Sequence, residues 1–78
     1  MAGVIKKVSE GGKIIKAVRL ARGYRHRTEF AVRLGFSVNT VYNWESGRSK
    51  PSYDDVQMIV DYLHFNMIEA RELAKNAA

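Results

Sequence analysis

TEFAVRLGFSVNTVYNWESGRSKP, residues 28–51, reads as two short helices on either side of a tight turn. Phe30, Ala31 and Leu34 fall at i, i+1 and i+4 and form one apolar stripe of the first helix. Gly35 then supplies the turn, because a residue without Cβ takes positive φ at no steric cost. Phe36 plugs the turn. Ser37 is placed to cap the second helix, its hydroxyl accepting from the amide of Asn39 or Thr40. Within that helix, residues 37–45, Val41 and Trp44 are three apart and face inward. The outer surface is left to Val38, Asn39, Thr40, Tyr42 and Asn43.

That outer face is chemically unusual. Solvated helix faces favour Lys and Glu, whereas this one carries two amides, a hydroxyl and a phenol. Asn is a mediocre helix former, but its amide can bond bidentately to adenine in a DNA major groove. The pattern is that of a helix-turn-helix whose second helix reads bases.

Charge supports the same reading. Residues 1–50 hold eleven Lys and Arg against three Glu, a net +8, while residues 51–78 hold two against five acids, a net −3. A polyanion is therefore met by the part that contains the two helices and repelled by the rest. Basic small proteins are often basic for solubility alone, and it is the coincidence with the motif that points to nucleic acid. RNA fits less well, since there are neither exposed aromatics patterned on strands nor a glycine loop of the kind that clamps single strands.

Outward from this stretch, one domain over residues 13–76 follows a leader at residues 1–12. The leader holds Val4, Ile5 and Val8, and Gly11-Gly12 argues against a helix there, which leaves a flexible arm or an edge strand. A helix is expected over residues 13–22, with Ile14, Ile15, Val18 and Ala21 inward and Gly23 as a left-handed stop. Pro51 closes the loop after the second helix of the motif. Ser52 with Asp54 and Asp55 then opens a fourth helix, acids in its first turn suiting the helix dipole. Val56, Ile59, Val60 and Leu63 give that helix an amphipathic stripe. Asn66 and Glu69 form an N-x-x-E capping box for a last helix through Lys75, with Met67, Ala70, Leu73 and Ala74 on its apolar face.

Residues 15–65 resemble the Cro and repressor (XRE-like) helix-turn-helix family. The resemblance rests on Val18-Arg19, Phe30-Ala31, Leu34-Gly35-Phe36-Ser37, Val41, Trp44-Glu45, Gly47, Pro51-Ser52 and Leu63, and above all on the spacing from Gly35 through Glu45-Ser46-Gly47 to Pro51. It implies an all-α fold of about five short helices, a lambda-repressor-like DNA-binding domain. It aligns Val38, Asn39 and Asn43 with base-reading positions. Arg27, at the start of the first motif helix, falls where the family often has Gln against the DNA backbone. An Arg there can make a charge-assisted bond to phosphate. Ser37, Thr40, Tyr42, Arg48 and Lys50 are further candidates for backbone or methyl contacts. Arg19 and Glu45 match a structural ion pair between the first and third helices. The segment from Gly23 to Phe30 is one residue longer than the family's usual spacing, so Arg25 and His26 have no secure alignment.

One such module offers few base contacts, so a homodimer on a two-fold operator is expected, two heads about one helical turn apart. Met58, Tyr62 and Phe65 exceed what a small core can absorb and are the candidate dimer surface. Lone-domain regulators have this profile, among them phage Cro-like repressors, restriction-modification controllers and regulators of mobile elements. No small-molecule effector is expected. A protein-interaction module (antitoxin, co-activator or adaptor) and a non-specific architectural DNA binder are the rival readings, the first resting on Met58, Tyr62 and Phe65 and the second on the basic half.

Other chemistries find little support. His26 and His64 lack metal-ligand spacing and the chain has no Cys, so no metal site is expected. Gly11-Gly12-Lys13 is not a phosphate-binding loop, Trp44 reads as a core residue, and no nucleophile has a convincing base, so neither a cofactor nor enzyme activity is expected. No apolar run approaches the ~20 residues of a membrane span, and no secretory signal is present, which makes the cytoplasm the expected compartment.

Overall fold

The structure is a computed structural model that describes residues 7–77. Among these residues five helices follow one another without strands: α1 (Glu10–Ala21), α2 (Arg27–Leu34), α3 (Val38–Ser46), α4 (Tyr53–Tyr62) and α5 (Met67–Asn76). The all-α architecture of about five short helices read from the sequence is the one observed.

Short polar side chains start four of the helices by accepting an otherwise unpaired amide of the first turn. Ser9 accepts from Gly12, Ser37 from Thr40, Ser52 from Asp55 and Asn66 from Glu69. The Asn66–Glu69 capping box closes in both directions, the Glu69 carboxylate accepting from the Asn66 amide at 2.9 Å. Helix ends use glycine where the chain must reverse: Gly35 lies at φ 84° after α2 and Gly47 at φ 90° after α3.

α1 begins three residues earlier than the sequence predicts, at Glu10 rather than Lys13. The glycines that argued against a helix are inside its first turn, and tertiary packing explains them. A Cβ on Gly12 would lie 2.2 Å from the backbone oxygen of Trp44, and one on Gly11 would lie 2.9 Å from the ring of Pro51. Bare backbone lets α1 approach the end of α3, and that close packing offsets the helix propensity that glycine lacks. Of the expected leader, residues 1–6 with Val4 and Ile5 lie outside the described residues.

The core is centred on α1, which packs against α3, α4 and α5, while α2 packs on α3. Ile15, Val18, Phe30, Val41, Ile59 and Val60 are fully buried, each of the larger aliphatics contributing about 1.5–3 kcal/mol by leaving water. Ala17 is buried in α1, whereas Ala21, expected inward, is exposed as the last residue of that helix. Trp44 is buried and meets Phe36 edge to face at 5.0 Å, so the turn residue closes the core beneath the motif. Arg22 ends α4 from outside: its Nε donates to the Leu63 carbonyl at 2.7 Å, and its guanidinium lies 4.0 Å over the ring of Phe65. No helix among the described residues is long and apolar enough to cross a membrane.

Candidate nucleic-acid interface

The second motif helix, α3, is fixed at its start, its middle and its end. At the start the Ser37 hydroxyl accepts from the Thr40 amide at 3.0 Å and sits 2.8 Å from the Thr40 hydroxyl. In the middle Val41 and Trp44 anchor it to the core. At the end the Asn43 carbonyl accepts from the amides of Arg48 and Ser49, folding the following loop back onto the helix.

The face turned away from the core is the one read from the sequence. Val38, Asn39 and Tyr42 are exposed, and Thr40 and Asn43 are half-buried. The side-chain amides of Asn39 and Asn43 make no hydrogen bond to any described residue, so both keep donor and acceptor for an outside partner.

Glu45 ties this face to the rest of the domain. Its carboxylate is buried and accepts from Arg19 at both oxygens, Nε to Oε2 at 2.9 Å and Nη2 to Oε1 at 3.0 Å. The remaining nitrogen of Arg19, Nη1, donates to the carbonyls of Tyr24 and Arg25, which shapes the loop between α1 and α2. No buried side-chain polar atom among the described residues is left without a partner. The ion pair suggested by the resemblance is therefore also the pin that sets where α2 begins.

The sequence did not disclose that Glu45 takes a second arginine. Arg27 donates from Nε to Glu45 Oε1 at 2.9 Å, and its guanidinium lies over the ring of Tyr42 with its carbon 5.4 Å from the centroid. The Arg27 side chain is about one-third exposed, at 35%. With Nε held by a buried carboxylate and one side against an aromatic ring, the terminal nitrogens are the part left for an anion or a base edge. Two arginines against one glutamate leave one positive charge in excess, and the exposed end of Arg27 carries it.

Arg27 lines a shallow depression with Val38, Asn39 and Tyr42 from α3, with Arg25 and His26 from the approach to α2, and with Thr28 from its first turn. The last three were not among the sequence candidates. The signal available for Arg25 and His26 was the extra residue between Gly23 and Phe30, which carries basic side chains to the edge of this depression. Arg48 is exposed just after Gly47, whereas Lys50 lines a groove between α1 and α5 and not the depression at Asn39. Met58 and Tyr62 are exposed on α4, but Phe65 is half-buried against the core and under Arg22. No group of His, Cys, Asp or Glu among the described residues is arranged to hold a metal ion.

A model of the family described as Helix-turn-helix matches residues 15–70, well over half of the chain. The chain belongs to the XRE-like helix-turn-helix family. Searches among curated proteins and solved structures gave no match. As a member of this family the protein is a DNA-binding transcription regulator of the XRE type, and its polyanion is double-stranded DNA. The family's matched span contains both motif helices, the Arg19–Glu45 pair and the depression around Arg27.

Proposed function

We propose that this regulator is a sequence-specific repressor that inserts α3 into the major groove and acts as a homodimer on a two-fold operator in the cytoplasm. Asn39, Val38 and Asn43 read base edges: Asn39 pairs with adenine, Val38 packs against a thymine methyl, and Asn43 reaches a further base one turn along. Arg27, Ser37, Thr40, Tyr42 and Arg48 hold the backbone beside the groove and set the register, whereas Lys50, which lines the groove between α1 and α5, is not assigned to DNA. Repression follows from occupancy, since a domain seated across an operator excludes other proteins from it. Concentration or a protein partner sets that occupancy.

The observation that carries this reading is the pair of unpartnered amides, Asn39 and Asn43, on the exposed side of a helix whose other side is locked into the core. Changing Asn39 to Ala tests it. The substitution costs ~1–3 kcal/mol on the preferred site and leaves affinity for unrelated duplex almost unchanged. Equal losses on both would remove Asn39 from base reading. Exposed Met58 and Tyr62 favour a second reading, a module that holds another protein, in which substitutions on α4 matter more than those at Asn39 and Asn43.

A further inference from the structure

We propose that the acidic face of α4 docks into the basic groove between α1 and α5 of a second copy of this chain. This rests on the self-association proposed above and names the surfaces that make it. The outward stripe of α4 consists of Asp54, Gln57, Met58, Asp61 and Tyr62, which together line a shallow hollow. Met58 and Tyr62 are exposed at 41% and 46%. α4 contains three aspartates and no Lys or Arg, and none of the three makes an ion pair among the described residues. Pairing α4 with its own copy would bury acid against acid, which opposes association. The apolar surface on α4 therefore calls for a cationic partner.

The chain carries such a surface elsewhere. The groove between α1 and α5 is flanked by Lys13, Lys16, Arg71 and Lys75, with Lys7 and Lys50 at its end. Of the acids that line it, Glu45 is already taken by Arg19 and Arg27, which leaves Glu10 and Glu72 against six cations. None of these six cations makes an ion pair among the described residues. The floor is apolar, and it is bounded by Leu20 and Ile68, exposed at 46% and 75%. Aliphatic floor and cationic rim match the Met58 and Tyr62 centre and the Asp54 and Asp61 rim of α4. If each copy offers α4 to the groove of the other, the contact is made twice about one dyad, as a two-fold dimer requires.

Charge reversal on each side tests the pairing. One variant carries Lys13→Glu and Lys16→Glu on the α1 side of the groove; the other carries Gln57→Lys and Asp61→Lys on the outward stripe of α4, where Asp61 lies in the last turn and a cation suits the helix dipole. Sedimentation equilibrium of the full chain at about 50 mM salt is the readout, with circular dichroism confirming that each variant is folded. Each reversal alone weakens self-association at least about tenfold through like-charge contact, and an equimolar mixture of the two restores it. If either reversal fails to fold, Lys13→Gln with Lys16→Gln or Asp61→Asn replaces it and weakens association in the same direction. A wild-type chain that stays monomeric at high concentration overturns self-association itself and leaves DNA binding untouched. Association that survives both reversals, or a mixture that does not recover, overturns these surfaces while self-association stands. Loss of DNA affinity in the α1 variant with association unchanged also overturns the proposal, because the groove cations would then belong to DNA.

Discussion

Arg19 and Arg27 share one carboxylate, yet replacing each with Ala has opposite consequences for fold and binding. Arg19 is buried, as is Glu45, with side-chain exposures of 3% and 1%. Removing Arg19 deletes both of its bonds to Glu45 and strands the carbonyls of Tyr24 and Arg25. Breaking a buried pair from one side costs about 3–5 kcal/mol, which approaches the whole stability of a domain this small, and the single bond that Arg27 still gives Glu45 offsets only part of it. Arg27 is different because its removal leaves Glu45 still held by both bonds from Arg19. Its own pair is partly open to solvent, so screening reduces it to about 0.2–1 kcal/mol, and the contact with half-exposed Tyr42 adds a similar amount at most. A loss of about 1 kcal/mol lowers the melting temperature by roughly 4–8 °C in a chain of this size.

On DNA the ranking reverses. Losing one phosphate contact makes the dependence of log affinity on log salt shallower by about 0.9, and losing a charge-assisted bond costs about 1.5–3 kcal/mol. Thermal melts followed by circular dichroism, with duplex binding measured between about 50 and 200 mM salt, check both halves. Arg27→Ala should melt roughly 4–8 °C below the wild type and bind all sequences more weakly on a shallower slope, while Arg19→Ala should be largely unfolded or melt far lower. Comparable destabilisation by the two substitutions would refute the assignment of Arg19 to the fold and Arg27 to the surface. An unchanged salt slope for Arg27→Ala would remove Arg27 from the backbone contacts.

Two further outcomes follow from the packing. Gly12→Ala should destabilise the domain by at least about 1–3 kcal/mol, because its Cβ would meet the Trp44 carbonyl at 2.2 Å, although Ala is the better helix former; a melting temperature at or above that of wild type would contradict the close approach of α1 to α3. Ser37→Ala should cost about 1 kcal/mol of stability through the lost cap, and a melting temperature unchanged by the substitution would show that the Ser37–Thr40 bond contributes little.

The parts of this fold that sequence discloses are those decided within a few residues. Ser37, Ser52 and the Asn66–Glu69 box act over three positions, Gly35 acts at one, and the stripe Val56, Ile59, Val60 and Leu63 repeats within a single helix. What escapes are choices made by a distant neighbour. Gly11 and Gly12 look like helix breakers until Pro51 and Trp44 are brought against them. Arg22 looks like one more surface cation, yet it closes the end of α4 from 41 residues away. Arg27 was legible as a charge placed for phosphate, but its attachment to Glu45, 18 residues on, depends on how α2 crosses α3. Likewise Arg25 and His26 reach the depression beside α3 on a loop that Arg19 holds through the carbonyls of Tyr24 and Arg25.

Selection of bound sites from random duplex DNA at about 150 mM salt, where the electrostatic background is suppressed, tests the central claim most directly. Base reading by Val38, Asn39 and Asn43 predicts a defined motif with two-fold symmetry, half-sites about one helical turn apart, and adenine at the position that Asn39→Ala relaxes. A folded protein that returns no motif would contradict it.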